Sequence, residues 1–147
     1  MMEPILDISG LNLSFTTYGK RTQVLHDVSL RVGKGERVAL IGQSGSGKTV
    51  TMRAIIGTLP IPPAKIEGGV IQFEGRDLLQ MAKVERNRLK GTGISIIMQD
   101  PLLSFNPVLT IGRQMDDIVR YADVRLGSKR NSGLRKATIL DLSLIHI

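Results

Sequence analysis

Arg37-Val38-Ala39-Leu40-Ile41-Gly42-Gln43-Ser44-Gly45-Ser46-Gly47-Lys48-Thr49 is the stretch that decides the fold class of this chain. A short apolar run closes on a glycine-rich turn and then on Lys-Thr. Residues Gly42 to Thr49 fit G-x-x-x-x-G-K-[ST], the phosphate-binding P-loop. With this chain's own glycine, lysine and hydroxyl content the pattern arises by chance roughly once in a hundred such chains, so its flanks matter. Val38 to Ile41 reads as a buried strand feeding the loop, and Val50 to Leu59 as the helix leaving it. Gly42, Gly45 and Gly47 let the backbone turn its N–H groups inward around a polyphosphate, with Gln43, Ser44 and Ser46 between them. The helix dipole points at the same anion. Lys48 can reach the β- and γ-phosphates as a point charge, and the Thr49 hydroxyl is a candidate Mg²⁺ ligand.

Working outward, Ile5 to Phe15 and Val24 to Val32 alternate in strand fashion, with a polar turn expected from Thr16 to Gln23. Two antiparallel strands therefore precede the loop. Phe15 and Tyr18 are the aromatics that could stack on a nucleotide base. After the loop, Pro60, Pro62 and Pro63 are expected to end the helix, since proline cannot continue it. Gly68 and Gly69 open a strand at Val70 to Glu74, with a turn at Gly75-Arg76. Met81 to Lys90 reads as a basic surface helix capped by Gly91. Ile94 to Met98 reads as a second buried strand, ending at Gln99-Asp100-Pro101. A helix is expected from Thr110 to Ala122, with Ile111, Met115, Ile118, Val119 and Ala122 on one face. Gly127 to Gly133 reads as a linker, and Ser132 as the cap of a last helix from Leu134 to Leu140.

The 147 residues suffice for one domain with a core, at 41% hydrophobic and 22% charged content. No stretch approaches the roughly 18 apolar residues of a membrane span. Met-Met-Glu-Pro opens the chain without the basic and apolar regions of a secretory signal. With no cysteine there are no disulfides or thiolate sites, which accords with a cytoplasmic setting. The net charge is +7, but the bases are scattered and not interleaved with aromatics, so a nucleic-acid partner is not expected.

The order of elements resembles the first half of an ABC transporter nucleotide-binding subunit. The carriers are the two early strands, the P-loop, the Gly-Gly-Val-Ile-Gln-Phe-Glu-Gly strand and Ile-Ser-Ile-Ile-Met-Gln. Gln99 falls at the position of that family's Q-loop glutamine, implied to help bind Mg²⁺ and the attacking water. Residues 99 to 114 (QDPLLSFNPVLTIGRQ) resemble the branch serving oligopeptide, dipeptide and nickel importers, with Phe105 where that branch commonly has leucine. The family's spacing sets Phe15 closer than Tyr18 to the adenine-stacking aromatic, while a one-residue gap would favour Tyr18.

What the resemblance implies is an α/β P-loop NTPase of ABC-ATPase type with an antiparallel β subdomain, truncated within its helical subdomain. The expected parts are an antiparallel β part at 3–32, a P-loop core at 36–100 and the start of the helical subdomain at 108–141, together a partial domain over 1–141. The family's signature, similar to Leu-Ser-Gly-Gly-Gln, does not occur in these residues, and no apolar strand ends in Asp-Glu. Neither His26 nor His146 stands where the switch histidine would, and Asp100 is not expected to act as base. In the family's sheet the P-loop and Q-loop strands are not neighbours. Val38–Ile41 and Ile94–Met98 are therefore each expected to present an unpaired apolar edge. Residues 142–147 (LSLIHI) match the translation of a transposon-end sequencing adapter and are expected to be foreign.

The resemblance implies the ATP-binding part of an ABC importer ATPase for peptides or nickel, with ATP and Mg²⁺ as cofactors. Lys48 and Gln99 would have catalytic roles; Thr49 and Gln99 would attend the metal. Implied partners are a second ABC ATPase subunit and transmembrane permease subunits met through loop 99–107, at the cytoplasmic face of the inner membrane. Two alternatives are a non-transport ABC ATPase acting on nucleic acid or translation, and another P-loop NTPase such as a kinase or GTPase. The 104–112 run (SFNPVLTIG) weighs against the first, and the antiparallel pair before the loop against the second.

Overall fold

A computed structural model describes residues 4–100, 104–128 and 130–144. The chain divides into two compact units, residues 1–95 and 96–147.

The first unit is built on a four-stranded antiparallel sheet of order β2-β1-β3-β4. Strand β1 (Pro4–Thr17) and strand β2 (Lys20–Gly33) form a long hairpin. Its turn is Tyr18-Gly19 alone, at φ 50° and 75°, with Thr17 paired to Lys20. Two left-handed residues match the right-handed twist of the flanking strands, so a two-residue turn replaces the longer polar turn expected at 16–23. Strand β3 (Ala64–Phe73) continues through Gly68-Gly69, with a register shift there, where the sequence had suggested a start. It flanks β1 on the other side and ends in a short return, β4 (Arg76–Asp77). Strand β1 is paired on both edges, and its Ile8, Leu11 and Leu13 are buried.

Helix α1 (Lys48–Ile56) packs on this sheet through Ala54 and Ile55, which join Ile8, Leu11, Leu25, Ile71, Phe73 and Leu78 in one apolar core. It ends at Gly57, in left-handed conformation at φ 72°, rather than at the prolines beyond. Helix α2 (Lys83–Leu89) is shorter than expected, and its C-cap is Lys90, not Gly91.

Two expected strands differ from expectation. Val38–Ile41 and Ile94–Met98 carry no ladder, apart from one isolated bridge between Ile94 and Lys90. They are not buried: Ile41 and Ile97 are each 92% exposed, and Val38, Leu40, Ile96 and Met98 are exposed as well. A strand forms only where another backbone satisfies its N–H and C=O groups along its length, and apart from Ile94, which bonds to Leu89 and Gly91, no described segment pairs with either. Where two buried strands with unpaired edges were expected, there are two largely exposed apolar segments without strand structure.

The second unit is helical. Helix α3 (Ile111–Leu126) begins at Thr110, whose Oγ1 accepts from the Arg113 N–H at 3.4 Å, and ends at left-handed Gly127. It runs past the expected end at Ala122. Of its expected apolar face Val119 is buried and Met115 and Ala122 half-buried, while Ile111 and Ile118 are exposed. Helix α4 (Ser132–Leu144) is capped by Asn131, whose Oδ1 accepts from the Leu134 N–H at 2.8 Å. Ser132 is thus the first helical residue, not the cap. Two ion pairs staple this unit: Arg135 to Asp116 at 2.8 Å, and Arg130 to buried Asp123 at 3.0 Å. Helix α4 includes residues 142–144; 145–147 lie outside the described residues.

Candidate functional site

The loop from Gly42 to Gly47 is exposed up to Ser46 and turns at Gly45 (φ 82°) and Gly47 (φ 89°). It folds back on the first residue of α1. The Lys48 ammonium donates to the carbonyls of Gly42 at 2.6 Å and Gln43 at 2.7 Å and to Ser46 Oγ at 3.2 Å. The Gln43 carbonyl also accepts from the Ser46 N–H at 3.3 Å. All three partners of the ammonium are neutral, and among the described residues no carboxylate pairs with it. Its charge is uncompensated at the mouth of the loop, next to the free N–H groups of the first helical turn. A glycine-rich loop with one cation at a helix N-terminus suits a polyphosphate.

The loop is tight enough to test that fit. A Cβ at Gly42 would stand 2.7 Å from Ser46 Oγ and 3.8 Å from Lys48 Nζ, inside the cradle. Gly47 is constrained differently. The sequence suggests that glycine there permits close approach to phosphate, but a Cβ would first meet Leu25 Cδ2 of the sheet core at 2.6 Å. The left-handed backbone at Gly47 and its contact with β2 together fix where α1 begins. Thr51 locks the same peptide: its Oγ1 donates to the Gly47 carbonyl at 3.0 Å, and its N–H does so at 2.8 Å. Thr49 is exposed on the first turn of α1, where a hydroxyl could take a hard cation beside bound phosphate. Among the described residues no cluster of three or more His, Cys, Asp or Glu could hold a metal by itself. Such a cation would draw most of its ligands from phosphate and water.

The two aromatics differ in setting. Phe15, on β1 opposite Thr22 and Ala64, is half-buried and packs against the core. Tyr18 stands fully exposed at the hairpin tip. Gln99 belongs to the second unit, where it lines an open hollow with Met98, Asp100 and Ser104. Residues 101–103 of loop 99–107 lie outside the described residues. His26 is exposed on β2.

Sequence reasoning missed three sets of residues. Gln114 on α3 reaches back to the loop before it, accepting from the Asn106 N–H at 2.8 Å and donating to the carbonyls of Asn106 at 3.1 Å and Leu109 at 2.9 Å. Asn106 in turn accepts from the Val108 N–H at 3.0 Å. The run 104–114 therefore carries its own cap, and the Asn-Pro preceding a Thr cap is the signal that could have shown it. On the sheet, Glu67 accepts from buried Ser14 at 2.7 Å and pairs with Arg21 at 2.9 Å and Lys65 at 3.1 Å. These bonds, the Ser14 hydroxyl foremost, hold its carboxyl below the usual glutamate range. The third is Arg86 on α2, whose guanidinium lies at the far end of α1.

The dipeptide transport ATP-binding protein DppD of Bacillus subtilis is 38% identical over 146 residues, covering 99% of this chain and 42% of that protein. The oligopeptide transport ATP-binding protein OppD of the same organism is 39% identical over 115 residues, 78% of this chain and 32% of its own length. The chain thus spans well under half the length of these curated relatives. A solved structure described as a dimeric post-hydrolysis state of the ATP-binding cassette MJ0796 bound to ADP and Pi superposes with a TM-score of 0.71. The superposition covers 92% of this chain and 54% of that one at 16% identity, and shows a shared fold. Residues 25–143 match the ABC transporter family, and the chain belongs to that family.

Proposed function

We propose that this chain is the ATP-binding part of the ATPase subunit of an ABC importer for peptides or nickel, in which ATP hydrolysis drives transport. The observation that carries the nucleotide assignment is the Lys48 ammonium held by the Gly42 and Gln43 carbonyls at the head of α1. The similarity to dipeptide and oligopeptide transport ATP-binding proteins supports the solute class. Nickel rests on the resemblance of residues 99 to 114 alone.

In this reading the triphosphate displaces the loop carbonyls as partner of Lys48. The amides of Gly42 to Thr49 bind the phosphate oxygens, and Phe15 or Tyr18 offers its ring to the adenine. Thr49 and Gln99 would hold Mg²⁺, which when bound supplies charge neutralisation on the phosphate oxygens. Phosphoryl transfer to water passes through a loose transition state whose charge spreads over those oxygens, so catalysis is largely positioning and electrostatics. Lys48 and the loop amides stabilise that charge, and Gln99 orients the attacking water. A second ABC ATPase subunit and permease subunits that meet loop 99–107 are the partners, placing the protein peripherally at the cytoplasmic face of the inner membrane. Among the described residues no helix is long and apolar enough to cross a membrane.

Deletion of the encoding gene in its host tests the assignment. Uptake of a labelled dipeptide or tetrapeptide should fall severalfold, or uptake of ⁶³Ni²⁺ should fall if nickel is the solute. Unchanged uptake of all three would overturn it.

A further inference from the structure

Helix α1 has two ends, and only one faces the phosphate site. At the other, the last carbonyls lack helical partners. Gly57 covers part of this need: its N–H lies 2.9 Å from the Arg53 carbonyl and 3.2 Å from that of Ala54, and the Thr58 N–H donates to Arg53 at 3.0 Å. That is already a complete C-cap by the usual glycine motif. Yet Arg86, 32 residues further on, donates from Nη2 to the Ala54 carbonyl at 2.7 Å. Lys90 Nζ donates to the Gly57 carbonyl at 3.4 Å.

The Arg86 contact is built in. A Cβ at Gly57 would lie 2.6 Å from both Cζ and Nε of Arg86, so the guanidinium rests directly on the glycine. Around it are Ile55, Ile56, Leu78, Leu89 and Ile94. Its Nε is buried with no hydrogen-bond partner among the described residues. This burial pushes the guanidinium below the usual arginine range, while Asp77 opposes the shift. A cation in such surroundings needs an electrostatic partner, and the negative end of a helix dipole is one.

We propose that Arg86, seconded by Lys90, is a positioning residue for the nucleotide: it clamps the C-terminal end of the P-loop helix so that the N-terminal end meets polyphosphate in a fixed orientation. The proposal rests on the nucleotide-binding reading above. Helix α1 has nine residues, too few to be stable without its packing and caps. From Lys48 to Ala54 the helix rises about 9 Å, so Arg86 acts through the helix axis rather than on the phosphates. Bound polyphosphate and Arg86 are then opposite charges on opposite ends of one dipole, each favouring the other.

The test uses the 147-residue chain with Arg86→Lys, Arg86→Met, Arg86→Glu, Lys90→Met and, as control, Lys48→Ala. A fluorescent ATP analogue with Mg²⁺ gives affinity, and amide hydrogen exchange without nucleotide gives the order of α1. Affinity should fall in the order wild type, Arg86→Lys, Arg86→Met, Arg86→Glu, with Arg86→Met about three- to tenfold weaker. Lys90→Met should lose less. Exchange across Thr51–Gly57 should quicken in Arg86→Met and Arg86→Glu while the β1–β2 hairpin is unchanged. Wild-type affinity in Arg86→Met, equal losses in Met and Glu, or exchange that quickens throughout the hairpin would each overturn the proposal. If Arg86→Met binds normally while Lys48→Ala does not, only the positioning role fails. If Lys48→Ala binds like wild type, the P-loop reading fails and the clamp with it.

Discussion

Gly47→Ala should be far more damaging than an added methyl group suggests. At φ 89° the residue is left-handed, which disfavours any L side chain by about 1–2 kcal/mol. The new Cβ would also stand 2.6 Å from Leu25 Cδ2 and 3.5 Å from the Val24 carbonyl. Leu25 is 2% exposed and wedged in the core, so it cannot swing aside. Overpacking of this kind costs about 1–3 kcal/mol. The sum is a loss of about 2–5 kcal/mol, combining the two contributions. Leu25→Ala alone should cost about 2–5 kcal/mol by leaving a cavity. In the double variant the methyl at 47 enters the space that Leu25 vacates, and the overpacking contribution disappears. Urea denaturation followed by circular dichroism should therefore give a favourable coupling of at least about 1 kcal/mol, well outside the 0.3–0.5 kcal/mol within which independent sites add. Simple additivity would refute the claim that Gly47 is fixed by the sheet core.

Phe15→Ala should lower stability by about 1–3 kcal/mol because its ring packs on the core, whereas Tyr18→Ala should stay within about 0.5 kcal/mol; equal effects in denaturant titrations would contradict their placement. Glu67 has its folded pKa held below the usual 4.5 by Ser14, Lys65 and Arg21. The unfolded state then binds more protons between the two values, so this stability is present above about pH 4.5 and is lost as pH falls through the folded value. Glu67→Gln should flatten that acid limb of the stability curve; an unchanged limb would show that the cluster does not hold the carboxyl. Ile41→Lys combined with Ile97→Lys should reduce self-association of the 147-residue chain in light scattering, since both side chains are 92% exposed on unpaired segments. A wild-type chain that is already monomeric would sink that reading.

Much of the first unit was legible because its signals are local. The alternation at Leu11, Leu13 and Phe15 and the Gly-Ser-Gly-Lys-Thr turn depend on neighbours in sequence, and both β1 and α1 appear where they were expected. Gly57 ended α1 earlier than the prolines, because a left-handed glycine satisfies the last carbonyls whereas a proline only forbids continuation. The hairpin turn was overestimated because Tyr18-Gly19 lacks the Asn-Gly signature, yet adopts the same two left-handed residues. Val38–Ile41 and Ile94–Met98 read as strands by composition, but pairing is a property of two segments and composition describes one. Arg86 was invisible for the same reason. In sequence it is one basic residue among several on a surface helix, and only the fold brings it to Ala54.

The most direct test of the account is titration of the chain with a fluorescent ATP analogue and Mg²⁺, wild type against Lys48→Ala and Gly47→Val. The account predicts saturable binding by wild type that unlabelled ATP displaces. Lys48→Ala should weaken it at least tenfold by removing a charge-assisted contact of about 1.5–3 kcal/mol, and Gly47→Val should abolish it. Equal affinity in all three proteins would contradict the assignment of Gly42 to Thr49 as the nucleotide site.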